Sequence, residues 1–237
     1  MTDSTTTSTP EASPNITELS SKLRSGSEKN QLQLLQQIAE SSFDVLMEFL
    51  LERKPSPPTV VDGKVYQILY SSNLPKAAEF LQTHFPTGVV PLRSQAGIDY
   101  SLLQQLLAKQ DFQEADRLTL EKMCELAGET AIKRKWLYFT QIESLPAADL
   151  QTINTLWLVH SEGKFGFSVQ REIWLAVGKN WDKFWPQIGW KKGNNWTRYP
   201  NEFIWNLSAP RGHLPLSNQL RGKQPFSALL SHPVWLG

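Results

Sequence analysis

Several features that usually identify a protein's chemistry are scarce or absent in this sequence. Cys124 is the only cysteine, so the chain can build neither an internal disulfide nor a multi-cysteine zinc site, and a reducing compartment suits it. No apolar run is long enough to cross a bilayer. The formal net charge is only +1, which argues against binding polyanions through bulk electrostatics. A ligand must therefore be recognised by a local site.

Catalytic motifs are also missing. The glycines of Gly163–Gly166 and of residues 189–193 fit neither a phosphate-binding loop nor a dinucleotide fingerprint. His160 ends a predicted helix, where contact with the helix dipole would explain its presence. The four histidines show no metal-ligand spacing and no pattern of acid, histidine and nucleophile: His84, His160, His213 and His232. The prediction is a binding protein that is not an enzyme.

Tryptophan divides the chain, because all nine tryptophans lie between Trp136 and Trp235. Residues 1–15 are rich in Ser, Thr and Pro and are expected to form a disordered tail. Residues 16–87 carry apolar side chains at helical spacing between proline- and glycine-rich breakers, which predicts a small helical bundle. Residues 88–237 are expected to form a second, core domain.

Helical periodicity covers most of the core domain. Asp111 and Ser168 stand where they can cap predicted helices, and a further helix is expected from about Pro146. Residues 190–214 lose this period and predict a long, ordered, functional loop. Four leucines form one apolar stripe on the first helix: Leu102, Leu103, Leu106 and Leu107. No strand hairpin is expected, so the predicted fold class is all-α.

One unusual cluster of residue types lies between Lys183 and Lys223. Seven Lys or Arg residues and a single acid, Glu202, alternate there with seven aromatic residues. Aromatic faces stack on a planar ligand, and Arg forks recognise carboxylates. A ligand that is flat, apolar in the middle and carboxylated at an edge would fit both features.

Other interpretations of the same residues stay open. A mixture of aromatic and basic side chains can also stack single-stranded nucleic acid, and Trp and Arg are common in protein-binding hot spots. The aromatic residues can also be ordinary core, which is the assignment made here for Trp136, Trp157 and Trp174. Trp196 and Tyr199, which lie among polar residues in the loop, fit a core and a binding site about equally well.

Several segments, taken in order, resemble the hallmarks of the genomes-uncoupled-four family. They are DYSLLQQLLAKQDFQEADRLT, DLQTINTLWLVHSEGKFGFSVQREIW, the pair Gly189-Trp190, and LSAPRGHLP. The resemblance covers roughly residues 88–237, and residues 16–87 resemble the bundle of cyanobacterial members. It implies a mostly helical, cupped-hand domain with long loops that binds protoporphyrin IX and magnesium protoporphyrin IX. It also implies a non-catalytic regulator that stimulates magnesium chelatase in chlorophyll biosynthesis through the large porphyrin-binding subunit.

The resemblance also implies where the porphyrin binds, in a cleft between a loop of the early core helices and the long aromatic loop. His213 is added from its residue type, because imidazole is a common metal ligand. Leu120 stands where some relatives have Arg. The porphyrin-binding candidates are Lys133, Arg134, Trp196, Arg198, Tyr199, Phe203, His213, Asn218 and Arg221. The expected protein is a cytoplasmic monomer that binds no nucleic acid and associates peripherally with photosynthetic membranes.

Overall fold

The computed structural model describes residues 16–216 and 222–236. The predicted tail, residues 1–15, and two binding candidates, Asn218 and Arg221, lie outside the described residues. Helices dominate the described part, and its only strands form one two-stranded sheet. The predicted all-α class is therefore confirmed.

Five helices build the first half of the chain, and local sequence signals explain where they begin. Ser27 caps the second helix, and Thr59 forms a capping box with Asp62 on the fourth. Pro75 occupies the first position of the fifth, where its fixed φ suits a helix start. The helices are α1 (Ile16–Ser25), α2 (Glu28–Ser41), α3 (Phe43–Arg53), α4 (Val60–Ser71) and α5 (Pro75–His84).

The second half surrounds the helix Ala147–His160 (α10), which is buried on most of its faces. Trp157 on this helix is fully buried, stacks on Phe112, and donates its indole N–H to the Thr119 hydroxyl at 3.0 Å. The elements are α6 (Ser101–Ala108), α7 (Phe112–Leu126), α8 (Glu129–Arg134), α9 (Phe139–Glu143), α10 (Ala147–His160), α11 (Phe167–Ala176), α12 (Trp181–Gln187), β1 (Lys191–Lys192), β2 (Asn195–Trp196), α13 (Lys223–Leu230) and a 3₁₀ turn (Pro233–Leu236).

Two local expectations were wrong. The strands β1 and β2 form an antiparallel hairpin within the predicted loop, with Gly193 at φ +59° in its two-residue turn. The Gly193-Asn194 pair between the strands is a known hairpin signal, which the prediction of a loop did not take into account. Ser168 does not cap α11: the side chain of Asn154 on α10 accepts its backbone N–H at 2.9 Å instead. A cap supplied by a neighbouring helix has no local sequence signal.

The two halves have separate clusters of buried apolar residues, and Val89 packs against both. They meet where α4 crosses α10. A side chain in place of Gly63 would collide with the carbonyl oxygen of Val159, so only glycine permits this approach. Gln67 donates to the carbonyl oxygens of His160 at 2.9 Å and Leu107 at 3.3 Å, which adds a polar contact between the halves.

His160 lies at this junction, fully buried against the ring of Tyr66. Burial lowers its pKa to about 3, so the imidazole is neutral at neutral pH. The interpretation of this histidine as a favourable partner of the helix dipole is therefore wrong. Its place is explained by packing between α4, α6 and α10.

Candidate ligand-binding site

The long segment after α12 is held in place by side chains that bond to backbone atoms. His213 is central to this arrangement: its Nδ1 contacts the Ile188 carbonyl oxygen at 2.6 Å, and its Nε2 accepts the Ile204 N–H at 3.2 Å. The indole N–H of Trp190 donates to the His213 carbonyl oxygen at 2.8 Å. Burial lowers the pKa of His213, and the contact with Ile188 opposes this. In this arrangement both imidazole nitrogens are occupied by backbone groups of the loop.

A stack of aromatic rings supports the same segment from below. The rings of Trp185 and Trp190 are nearly parallel, with centroids 5.6 Å apart, and Phe226 stacks on both. Trp181 continues the stack beyond Trp185 at 4.9 Å. Since packed interiors deform little, the stack gives the loop a rigid base.

Two aromatic rings stand on the outer side of this base. Trp196 at the end of the hairpin is 48% exposed, and Tyr199 is 47% exposed. Phe203 is buried next to Tyr199, with its ring centroid 6.5 Å from those of Tyr199 and Trp190, and Trp196 contacts Trp185 edge to face at 5.6 Å. The structure therefore makes Phe203 part of the support and leaves Trp196 and Tyr199 as accessible flat surfaces.

Arg134 has a different environment from the one expected of a carboxylate contact. Its guanidinium lies against the rings of both Trp136 and Tyr138, 4.3 Å and 4.2 Å from their centroids, and the two rings contact each other edge to face at 4.5 Å. Nε and Nη2 both donate to the Trp136 carbonyl oxygen, and Nη2 also donates to Gln141 Oε1 at 2.6 Å. These contacts shape the α8–α9 turn around its aromatic side chains.

The remaining basic and tryptophan candidates differ in how exposed their side chains are. Lys133 and Arg198 have side chains 80% and 86% exposed, and each lies near one acid, Glu129 at 3.8 Å and Glu202 at 4.0 Å. Trp157 and Trp174 are buried, which confirms their assignment to the core. Trp136 is only partly buried, in the turn after α8, so its assignment to a helix face in the core was wrong.

Asp116 on α7 is a residue that the sequence interpretation missed. It is buried, its Oδ1 accepts the Leu216 N–H at 2.6 Å, and burial raises its pKa to about 7. Burial also raises the pKa of Tyr199, and the charge of Asp116 adds to that increase, which places the tyrosine on the α7 side of the loop. A signal was available, because Asp116 occupies the helix face shared by the buried Phe112 and Thr119.

Leu120 lies one turn further along this helix and is partly buried against the core. Within residues 16–216 and 222–236, no group of three or more His, Cys, Asp or Glu side chains could hold a metal ion. No helix in that part is long and apolar enough to cross a membrane. The accessible features of the site are the exposed rings of Trp196 and Tyr199 and the exposed basic side chains.

Fold and site together define a helical, tryptophan-rich domain with an exposed aromatic loop, preceded by a helical bundle. Comparison with protein families narrows this class. The GUN4-like family matches residues 93–233, and an ARM-like repeat domain described as the GUN4 N-terminal domain matches residues 7–86. The chain belongs to the GUN4 family, and the predicted family membership is confirmed.

Relatives of the chain come from a cyanobacterium and from plastid-bearing organisms. It is 51% identical over 227 residues to a "Ycf53-like protein" of Synechocystis sp., covering 94% of this chain and 97% of that one. It is 39% identical over 145 residues to a "Tetrapyrrole-binding protein, chloroplastic" of Arabidopsis thaliana, covering 57% of this chain and 55% of that one.

Two solved structures are similar as well. The structure of GUN4 from Chlamydomonas reinhardtii has a TM-score of 0.57 and 45% identity, covering 62% of this chain and 96% of that one. The ligand-free structure of Arabidopsis thaliana GUN4 has a TM-score of 0.54 and 39% identity, covering 60% of this chain and 98% of that one.

Proposed function

We propose that this chain is a non-catalytic tetrapyrrole-binding regulator. Its ligands are protoporphyrin IX and magnesium protoporphyrin IX, and it stimulates magnesium chelatase in chlorophyll biosynthesis through that enzyme's large porphyrin-binding subunit. The observation that carries the proposal is the pair of half-exposed rings, Trp196 and Tyr199, on a loop fixed to a stacked aromatic base. The name of the Arabidopsis thaliana relative supports the class of ligand.

The exposed rings are large enough to matter for binding. Full burial of an aromatic side chain covers roughly 150–250 Å², so two half-exposed rings leave about 200 Å² available. At about 25 cal/mol per Å², covering that area contributes about 5 kcal/mol before the entropic costs of association. Contacts to the ligand's carboxylates must supply the rest of the binding free energy.

Basic side chains at the rim can provide those contacts, but with different roles. Lys133 and Arg198 are exposed and held only by a long ion pair each, so they can turn toward a propionate. We assign Arg134 the role of positioning Trp136 and Tyr138, because its guanidinium is already stacked and bonded. We assign His213 the role of fixing the loop. Asn218 and Arg221 stay in the proposed site on the family resemblance alone.

The proposal also includes two units, residues 16–87 and residues 88–237, the second of which folds without the first. The separate buried clusters support this division, as do solved relatives that correspond to only about three fifths of the chain. We further propose a monomer in the cytoplasm that associates peripherally with photosynthetic membranes. Expression of residues 88–237 tests the division: a soluble fragment with a cooperative melt is expected, and an unfolded aggregate would contradict it.

A titration tests the proposed ligand. Protoporphyrin IX and magnesium protoporphyrin IX, added to the full chain, should quench tryptophan fluorescence and shift the Soret band at saturation. An unlabelled single-stranded oligonucleotide should leave the tryptophan fluorescence unchanged at low salt. No saturable response to either tetrapyrrole, or a salt-sensitive response to the oligonucleotide alone, would contradict the proposal.

An assay with purified magnesium chelatase subunits tests the proposed activity. With magnesium ion, ATP and protoporphyrin IX present, the chain should raise the chelation rate, and it should bind the large subunit. Alone it should insert no magnesium. Insertion of magnesium without the other subunits would show that the chain is an enzyme. Binding of a tetrapyrrole without stimulation of the chelatase would fit a carrier and would contradict the proposed regulation.

A further inference from the structure

A cavity lies where two proline-rich turns meet, on the N-terminal half of the chain. One turn follows α3 and includes residues 54–58; the other follows α5 and includes residues 84–91. Together with the ends of α3 and α4 they enclose about 330 Å³. Because proline fixes φ, turns with several prolines make stiff walls. The cavity shares no residue with the aromatic loop described above.

The one acid that lines the cavity, Asp62, is fully engaged within the protein. Its carboxylate accepts from Arg53 Nε at 3.2 Å and Arg53 Nη2 at 3.1 Å. It also accepts from the backbone N–H and the hydroxyl of Thr59 at 2.8 Å and 3.0 Å. Three of these bonds end on Oδ2 and one ends on Oδ1, so both oxygens of the carboxylate have partners within the protein. Asp62 and Arg53 thus neutralise each other.

Lys54 is left as the charge that is not balanced. Its ammonium lies over the ring of Phe85, 5.4 Å from the centroid, at the edge of the cavity. It forms no ion pair with any residue in the described part of the chain. The aromatic ring therefore holds a cation beside the cavity without neutralising it.

The other walls combine apolar and polar groups. Leu50, Phe85 and Val90 are among the apolar lining residues, and Ser56, His84 and Thr87 add polar side chains. Ligand pockets usually measure roughly 300–1,000 Å³, so this cavity fits a small molecule at the lower end of that range. Shape and charge together select a ligand with an apolar body and one negative group.

We propose that this cavity binds a small apolar monocarboxylate, with the carboxylate paired to Lys54 and the apolar body packed on Phe85 and the proline walls. The site is independent of the proposed tetrapyrrole site.

The experiment compares benzoate with benzamide, which has the same shape and no charge. Each is titrated into the full-length, isotope-labelled chain, and amide chemical shifts are followed by NMR. Saturable shifts at about millimolar concentration are expected at lining residues such as Val89 and Val90. Because Lys54 is exposed to solvent, its pairing should favour benzoate by about two- to fivefold.

Two variants make the test specific. Lys54→Gln should remove the preference for benzoate and leave benzamide affinity unchanged. Lys29→Gln, which changes an exposed lysine of α2, should leave both affinities unchanged. The proposal is overturned by the absence of saturable benzoate shifts, by shifts that lie outside the cavity, or by an unchanged benzoate preference in Lys54→Gln. Melting curves of both variants show whether the fold is intact.

Discussion

The N-terminal bundle and the aromatic loop of residues 190–214 are stabilised in opposite ways. In the bundle, helices begin at local caps such as Ser27 and Thr59 and pack along regularly spaced apolar faces. In the loop, regular structure is limited to a short hairpin, and side chains from distant positions hold the backbone. The comparison shows that a loop can be held in place without regular secondary structure, provided that buried side chains satisfy its backbone groups.

The largest expected effect comes from the base of the loop. Trp190→Ala removes a buried ring stacked on Trp185 and Phe226 and leaves the His213 carbonyl oxygen without its donor. We expect the free energy of unfolding to fall by about 3–5 kcal/mol, as for other large buried aromatic residues. Thermal and urea denaturation measure the loss.

The matched control for this substitution is Trp196→Ala, which removes a ring that is half exposed. It should change the free energy of unfolding by less than about 1 kcal/mol. Equal losses in both variants would mean that the loop has no rigid base, and the contrast between the two regions would then be wrong.

A second prediction concerns the junction of the two halves and its pH dependence. The pKa of His160 is lowered to about 3 in the fold and is near 6.5 in the unfolded chain, so unfolding takes up a proton between these values. The stability that this histidine contributes is present above about pH 6.5 and is lost as the pH falls toward 3. At pH 5 the loss should reach about 2 kcal/mol.

His160→Gln should remove this part of the acid sensitivity. Urea denaturation at several pH values between 5 and 7.5 checks the difference from the parent chain. Asp116→Asn is the control of opposite sign, because the raised pKa of Asp116 makes the fold more stable as the pH falls from 7 toward 4. An unchanged pH profile in His160→Gln would show that the imidazole is not neutral and buried at this junction.

The smallest expected effect comes from replacing Arg134, and it tests whether this residue positions aromatic rings or contacts the ligand. As a positioning residue it should matter equally for protoporphyrin IX and for its dimethyl ester, which has no free carboxylate. Arg134→Gln should weaken binding of both by a similar factor, about two- to tenfold, and change the near-ultraviolet circular dichroism of Trp136 and Tyr138. Fluorescence titration measures both affinities.

Lys133→Gln is the control for a carboxylate contact, because this neighbouring side chain is exposed. It should weaken binding of the diacid only, by up to about fivefold. If Arg134→Gln also affected the diacid alone and left the circular dichroism unchanged, Arg134 would be a ligand contact after all.

The sequence allowed the helical class, the family and the aromatic loop to be predicted, because these rest on local periodicity and on motifs with many residues. The roles of Phe203 and His213 within the loop could not be predicted in the same way. An aromatic ring is exposed or buried according to which distant parts of the chain pack beside it. The same is true of the contacts that the His213 ring makes with the backbone of Ile188 and Ile204. Asp116 differs from Phe203 and His213, because its spacing from Phe112 and Thr119 already indicated the buried face of α7; only its partner, the Leu216 N–H, required the structure.

The central claim is that Trp196 and Tyr199 form the accessible surface on which a tetrapyrrole stacks. The direct measurement is the protoporphyrin IX affinity of the double variant Trp196→Ala, Tyr199→Ala, compared with the parent chain and with Trp174→Ala, whose ring is buried in the core. The account predicts at least about tenfold weaker binding with little change in melting temperature for the double variant. Trp174→Ala is expected to lower the melting temperature. Unchanged protoporphyrin IX affinity in a folded double variant would contradict the proposed stacking surface.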